Sequence, residues 1–298
     1  MLAATGLMAC SSDDKNDVKE EPRLMIVDVQ GITRGDAPTT TATLSSFSMN
    51  YENNKYGFTK TGETWSPNTW PGGVGSDQKI DFYAYTGGTF NYNGGNPYVS
   101  FTVEETVASQ HDLLVAEHKQ ISYNDAGGHV SLLFDHACAA IRFTVQISNT
   151  LHTKLGDDLT VNSIILRNVS SRGDYSYSSK AWSNVSDSRY YTLTDGAITV
   201  TTTPQEVAQG YLYMIPQKRA KNGTTGTHLE INYMKGVNKT ATIPLDIDWE
   251  AGKLHTINIK LGTAQFNNNY EEAIYCSSHA GYSTQVQFYS RIQRKEIS

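Results

Sequence analysis

Cys10, an Asp-His pair, two Arg-Gly-Asp tripeptides and four tryptophans are the residues here whose types and spacing could do chemistry. Cys10 closes an apolar run, MLAATGLMAC, and acidic and polar residues follow at once, SSDDKNDVKEEP. Small residues ahead of a cysteine admit a signal peptidase, and the exposed thiol then becomes the site of acylation. The pattern predicts lipidation at Cys10, with residues 1–10 as the remnant of a lipoprotein signal. The positively charged segment that opens a secretory signal is missing, so the run reads as the signal's end. Cys138 and Cys276 could form one disulfide, although nothing in their spacing demands it. Cys138 lies among small apolar residues and reads more simply as a buried thiol.

Asp135-His136 has the composition of a catalytic dyad, and His129 stands seven positions before His136. A dyad needs a nucleophile, and no GxSxG, phosphate loop, GxGxxG or HExxH accompanies it. The histidines are dispersed, no CxxC or His/Cys cluster has zinc spacing, and the Asp/Asn-rich loops match no calcium loop. The expectation is a protein with no catalytic residues, no metal site and no cofactor. Arg34-Gly35-Asp36 and Arg172-Gly173-Asp174 are tripeptides that integrins bind at turns, but Gly and Asp favour turns for conformational reasons alone. Trp65, Trp70, Trp182 and Trp249, with 18 tyrosines, could build a sugar-stacking platform; in a β-sandwich such rings more often plug the core.

The chain that must position these residues is polar and β-prone. Thr, Ser, Tyr, Asn and Gly abound, and amphipathic helical patterns are nearly absent, which favours an all-β fold. The net charge of −6 is scattered with no basic stripe, which argues against nucleic acid as a partner. No apolar run reaches the length of a membrane-spanning helix. The densest apolar stretch is 111–147, HDLLVAEHKQISYNDAGGHVSLLFDHACAAIRFTVQI. Val130, Leu132 and Phe134 alternate with His129, Ser131 and, less cleanly, Leu133, and Ile141, Phe143, Val145 and Ile147 alternate with Arg142, Thr144 and Gln146, the pattern of half-buried strands. The stretch is read as the core of a first domain, with 135–140 as a helical turn or a strand crossing between sheets.

Short strands separated by turn signals fill the rest. Candidates are 24–29, a hairpin within 56–65, 79–85 with Ile80, Phe82 and Ala84 on one face, 98–103, 159–169, 210–216, a hairpin around Gly236, and 254–261. Residues 173–182 read as a solvent-edge strand or loop. The expected organisation is a signal remnant (1–10), a flexible tether (11–23), an N-terminal β-sandwich (24–150), a C-terminal β-sandwich (151–263) and a tail (264–298). Within the tail, Val286, Phe288 and Ile292 share one parity.

Several motifs recur in a telling order. After Cys10 come Ile32-Thr33-Arg34, Trp70-Pro71, the strand IDFYAY (80–85), DLLVA (112–116) and VSLLFDH (130–136). MIPQ (214–217) and WEAGK (249–253) follow in the second half. In order and spacing this resembles the fimbrillin-like family of Bacteroidales-type (type V) pili, over residues 24–262. The resemblance implies two tandem transthyretin-like Greek-key β-sandwich domains, export as a lipoprotein, and a place as shaft, anchor or tip of an adhesive fimbria. Asp13-Asp14 resembles the acidic signal that sends some lipoproteins of such bacteria to the cell surface. The implied location is the outer membrane and the fimbrium. The implied partners are other pilus subunits, the outer membrane through the lipid anchor, and host or bacterial surface ligands.

The resemblance also implies a mechanism. An Arg- or Lys-specific protease removes the N-terminal strand, and a strand of the next subunit fills the apolar groove left behind. Residues 24–29 match the removed strand and Arg34 the processing position. Val286, Phe288 and Ile292 are candidates for the donor strand, on the strength of their alternation. The competing reading is a glycan-binding surface lipoprotein of a nutrient-uptake system, which would share Cys10, the acidic linker and the sandwiches. Exposed aromatics coplanar in one groove would favour it; an N-terminal strand along an apolar groove would favour the pilus subunit.

Overall fold

In the computed structural model, the described residues are 22–32, 43–194, 196–207, 210–220, 222, 225–266 and 269–280, with backbone alone from 263 onward. In chain order the strands are β1 (Leu24–Ile32), β2 (Ser46–Tyr51), β3 (Asn54–Thr61), β4 (Thr64–Trp65), β5 (Asn68–Thr69), β6 (Ile80–Tyr85), β7 (Thr89–Asn93) and β8 (Asn96–Thr102). Next come β9 (Leu114–Ile121), β10 (His129–His136), β11 (Ala139–Ile147), β12 (Leu159–Ser176), β13 (Ala181–Thr192), β14 (Ile198–Val200), β15 (Gln205–Glu206) and β16 (Leu212–Met214). The last are β17 (Gln217–Arg219), β18 (His228–Lys235), β19 (Val237–Pro244), β20 (Ile247–Trp249), β21 (Leu254–Phe266) and β22 (Asn269–Ala280). The expected all-β class is what forms. No helix among the described residues is long and apolar enough to cross a membrane.

Three larger sheets organise these strands. One runs β4-β3-β2-β6-β9-β10-β1-β5. A second runs β15-β11-β21-β22, with β16 also on β11. The third runs β19-β18-β12-β8-β7, with β13 and β14 on β12. Most neighbours are antiparallel, but β1–β10 and β11–β21 are parallel. The β18–β19 hairpin turns at Gly236, whose φ of +70° is open to glycine at no steric cost.

Two apolar cores form. The smaller gathers Met25, Val27, Phe47, Phe82, Val130, Leu132 and Phe134, among others. The larger takes Ile141, Phe143, Val145 and Ile147 with the inward residues of β12, β16, β18 and β21. The expected alternation in β6 holds: Ile80, Phe82 and Ala84 enter the smaller core. Its other face is not solvent, however, because Tyr83 and Tyr85 are buried in the larger core. Strand β9 is shared in the same way, with Leu114 and Ala116 facing one core and Val115 the other.

The stretch 111–147 therefore differs from its expected role. It is not the spine of a single first sandwich. Strand β10 packs into the smaller core, the chain crosses at Ala137 and Cys138, and β11 pairs with β21 in the larger one. Of the two expected forms for 135–140, the strand crossing between sheets is the one observed. Strand β8 likewise pairs with β12 over 98–102, so the division of packing between the cores does not fall at residue 150. Register explains why the alternation was silent on this. A period-two pattern says that a strand has an apolar face, not which partner covers it.

Candidate functional site

Strand β1 lies at a seam. Over its first two residues it is flanked by β5 on one side, through Leu24 and Met25. From Ile26 to Ile32 its one strand neighbour among the described residues is β10. Met25 and Val27 are buried at 0% and 4% exposure, Val29 packs against the same core, and Leu24, Asp28 and Gln30 point to solvent. The LMIVDV run thus forms a strand with one plug face and one wet face. Burying two such side chains contributes about 3–6 kcal/mol.

Local contacts fix how β1 enters. The Arg23 carbonyl accepts from the Trp70 amide at 2.8 Å, and the Ile26 amide donates to the Gly128 carbonyl at 2.9 Å. The Arg23 guanidinium donates to Ser76 Oγ at 2.9 Å and to the Val74 carbonyl, and lies 5.3 Å from the Tyr123 ring centroid. Gly128 sits at φ +80°, and a Cβ there would come within 2.6 Å of the Leu24 carbonyl oxygen. Only glycine lets β10 begin this close to β1. Farther along, Asp28 and His129 pair at 2.8 Å across the parallel ladder, both half exposed, and such a pair contributes little stability. The pairing slips between Val29 and Gly31. Beside Val29 and Gln30 a cleft of about 530 Å³ opens against Leu44, Lys60, Glu63 and Trp65. The C-terminal end of β1 is the less covered end.

The other expected sites are dispersed. Cys10, Arg34, Val286, Phe288 and Ile292 lie outside the described residues, as does Arg34-Gly35-Asp36. Arg172-Gly173-Asp174 lies inside β12, paired to β13 on one side and β8 on the other. Its Asp174 carboxylate accepts from Ser100 Oγ at 2.6 Å and from Asn184 Nδ2 at 2.7 Å. Although the register with β13 slips between Arg172 and Asp174, the tripeptide stays in a strand paired on both sides and forms no turn, so the integrin reading fails for this copy. The expected edge or loop at 173–182 is corrected in part: β12 runs to Ser176, and Tyr175 and Tyr177 are buried.

His136 pairs with Asp112, not with its sequence neighbour Asp135, and the two side chains are 1% and 0% exposed. Asp112 Oδ1 and His136 Nε2 have no other partner. A pair this enclosed meets no substrate. Among the described residues no three His, Cys, Asp or Glu converge as metal ligands. Trp70 and Trp249 are buried, and Trp65 and Trp182 half-buried, with Trp182 Nε1 donating to the Ala137 carbonyl at 2.7 Å. The four indoles form no common platform.

A seam strand that plugs an apolar core, in a fold of stacked antiparallel sheets, invites comparison with known proteins. The model of the fimbrillin-like family matches residues 28–275. The chain belongs to the fimbrillin-like family. The match begins within β1 and ends within β22, so it takes in both cores of this fimbrillin-like chain. Among solved structures, a fimbrial protein from Bacteroides vulgatus is 18% identical, with a TM-score of 0.58, over 87% of this chain and 99% of its own. A candidate cell adhesion protein from Bacteroides ovatus is 14% identical, with a TM-score of 0.52, over 92% of this chain and 99% of its own. A third, from Parabacteroides distasonis, is 9% identical, with a TM-score of 0.50, over 86% and 96%. At such identities the likeness is one of fold. No curated protein sequence matches the chain. Family membership supports a non-enzymatic, structural role in a fimbria at the cell surface.

Two features of the fimbrillin-like chain escaped sequence reasoning. One is β22, which pairs antiparallel with β21 from His255 to Phe266, where a tail was expected from 264 onward. Its NYEEAIYCSSHA mixes charged, small and β-branched residues with no clean apolar face, so only the neighbouring strand defines it. The other is the parallel partnership of β1 with β10, whose residues lie about a hundred positions apart. No local pattern encodes a parallel partner.

Proposed function

We propose that this protein is a structural subunit of an adhesive fimbria, built by strand exchange between subunits at the outer surface of the cell. Lipidation at Cys10 tethers the uncleaved precursor to the outer membrane through the linker 11–23, and processing at Arg34 removes this anchor together with β1. Cleavage at Arg34 releases β1, and Val286, Phe288 and Ile292 of another subunit supply the replacement strand. The observation that carries the reading is the placement of β1. It plugs the smaller core with Met25 and Val27, has one strand neighbour among the described residues from Ile26 onward, and ends two positions before Arg34.

The physics is that of an exchangeable edge. Withdrawing β1 leaves the amides and carbonyls of β10 unpaired on one side and bares Val130, Leu132 and Phe134. An incoming strand restores the hydrogen bonds, and its alternate side chains refill the plug positions. Parallel pairs are slightly less stable than antiparallel ones, which makes β1 the easier strand to replace.

The test treats the purified full chain with an arginine-specific protease. The expected product begins at Gly35, sheds 24–34 and assembles into polymers visible by electron microscopy. A fold that keeps 24–34 attached after such digestion overturns the proposal. A chain ending at Ala280, which keeps β22, is expected to be processed but not to polymerise, and its polymerisation would remove Val286, Phe288 and Ile292 from the mechanism.

A further inference from the structure

We propose that the cleft walled by Tyr190 is a binding site for a neutral sugar ring. This cleft, of about 800 Å³, is bounded by Glu105, Thr106, Arg189, Tyr190, Thr192 and Ile198, among others. Its size is that of a small-molecule pocket, for which roughly 300–1,000 Å³ is usual. It lies on the flank of the larger core, on elements distinct from β1.

Tyr190 is the feature that needs explaining. It is 62% exposed, and among the described residues no other aromatic side chain is exposed to that degree. Its neighbour Tyr191 is fully buried, so β13 directs one ring into the core and leaves the other outside. Yet the exposed ring is held. The Arg167 guanidinium lies 5.3 Å from its centroid. Arg167 is itself fixed by Glu230, donating from Nε to Oε2 at 2.9 Å and from Nη2 to Oε1 at 3.1 Å. Arg167 does not line the cleft, so the ring is braced from outside it. An aromatic face both exposed and preorganised is what the apolar C–H face of a sugar stacks on.

The rest of the cleft suits the hydroxyl rim of such a ring. Thr106, Thr192 and Ser188 offer hydroxyls, and Glu105 a carboxylate, beside the apolar Val107 and Ile198. Arg189 donates to Glu105 Oε1 at 3.1 Å, which balances the charge within the cleft. Among the described lining residues no cation is left unbalanced for an acidic sugar, which selects a neutral ring. An extended peptide is the poorer occupant. Among the described residues β13 pairs with β12 alone, but Asn184 and Asp187 take left-handed backbone at φ +52° and +58° and break the line of its other edge.

The test presents the full chain to immobilised neutral oligosaccharides of galactose, mannose and N-acetylglucosamine, with sialylated counterparts and the peptide 281–298 as separate arms. The expected result is binding to at least one neutral glycan that Tyr190→Ala weakens about five- to tenfold, the worth of one aromatic stack, and that Tyr190→Phe preserves. Unchanged thermal midpoints in both variants rule out misfolding as the cause. The proposal is overturned if no neutral glycan binds, if Tyr190→Ala binds as well as wild type, or if the sialylated or peptide arm is the one that depends on Tyr190.

Discussion

Tyr177 donates its hydroxyl hydrogen to the carbonyl oxygen of Ala84 at 2.8 Å, joining residues 93 positions apart. Tyr177 belongs to the larger core, while the Ala84 side chain belongs to the smaller. The bond therefore crosses the layer that separates the two cores, next to Tyr83 and Tyr85 on the face of β6 that serves the larger one. The two cores share β6 and β9 and are tied by a buried polar contact. Relative rotation of one core on the other would break it.

Removing that hydroxyl should loosen the tie. Tyr177→Phe keeps the ring but leaves a buried carbonyl without this donor, at a cost of about 1–3 kcal/mol. Because both cores lean on the same strand, the variant should unfold in one shifted transition. Calorimetry showing two separated transitions in the wild-type chain would contradict this coupling.

High pH should unfold the protein through its tyrosines. Burial pushes the hydroxyls of Tyr175 and Tyr191 up to about 12, and those of Tyr83 and Tyr177 well above the ordinary range. In the unfolded chain these groups ionise near their ordinary value of 10.0. The folded state thus holds more protons above that pH, so stability present below pH 10 is lost as pH rises toward 12. Tyrosinate absorbance and circular dichroism should change together across that window. Ionisation of these tyrosines while the fold stays intact would show that burial does not protect them.

Met25→Ala tests the plug. Truncating this fully buried side chain should cost about 2–5 kcal/mol, through lost burial and the cavity left behind. The loss falls on the strand's plug, so β1 should be released more readily and cleavage by an arginine-specific protease should speed up. Leu24→Ala, at 51% exposure, should leave both nearly unchanged. Equal protease rates for the two variants would mean that the plug residue does not hold the strand.

His136→Ala should be among the most damaging single changes. It leaves the Asp112 carboxylate, 0% exposed, without its partner, and breaking a buried pair in this way costs about 3–5 kcal/mol. The double change Asp112→Leu with His136→Leu should recover much of that loss, because no polar group is then left buried without its partner. A thermal midpoint for His136→Ala within a degree or so of wild type would show that the pair is not a structural keystone.

Much of this was legible in local patterns. Alternation in VSLLF, IRFTVQI and IDFYAY marked β10, β11 and β6, and the turn at Gly236 marked the β18–β19 hairpin. The candidate site was half legible. LMIVDV announced a strand with a plug face at Met25 and Val27, but nothing in it named β10 as its neighbour or left its outer edge open. Asp135-His136 was misleading because strand alternation sends the two side chains to opposite faces, and the partner His136 finds, Asp112, is 24 positions away.

By itself, then, the sequence determined the all-β class, the strands with one apolar face and the order of motifs that marks the family. These rest on backbone preference and a period of two residues, both readable within one strand. The tertiary structure alone decided that β10 and β11 serve different cores, that both faces of β6 are buried, that Arg172-Gly173-Asp174 lies within a sheet between two strands, and that Tyr190 stands braced over a cleft. Each of these depends on pairing between strands distant in sequence. Such pairing is set by which apolar faces can cover one another once the chain closes its long loops, a property of the whole chain and of no single segment.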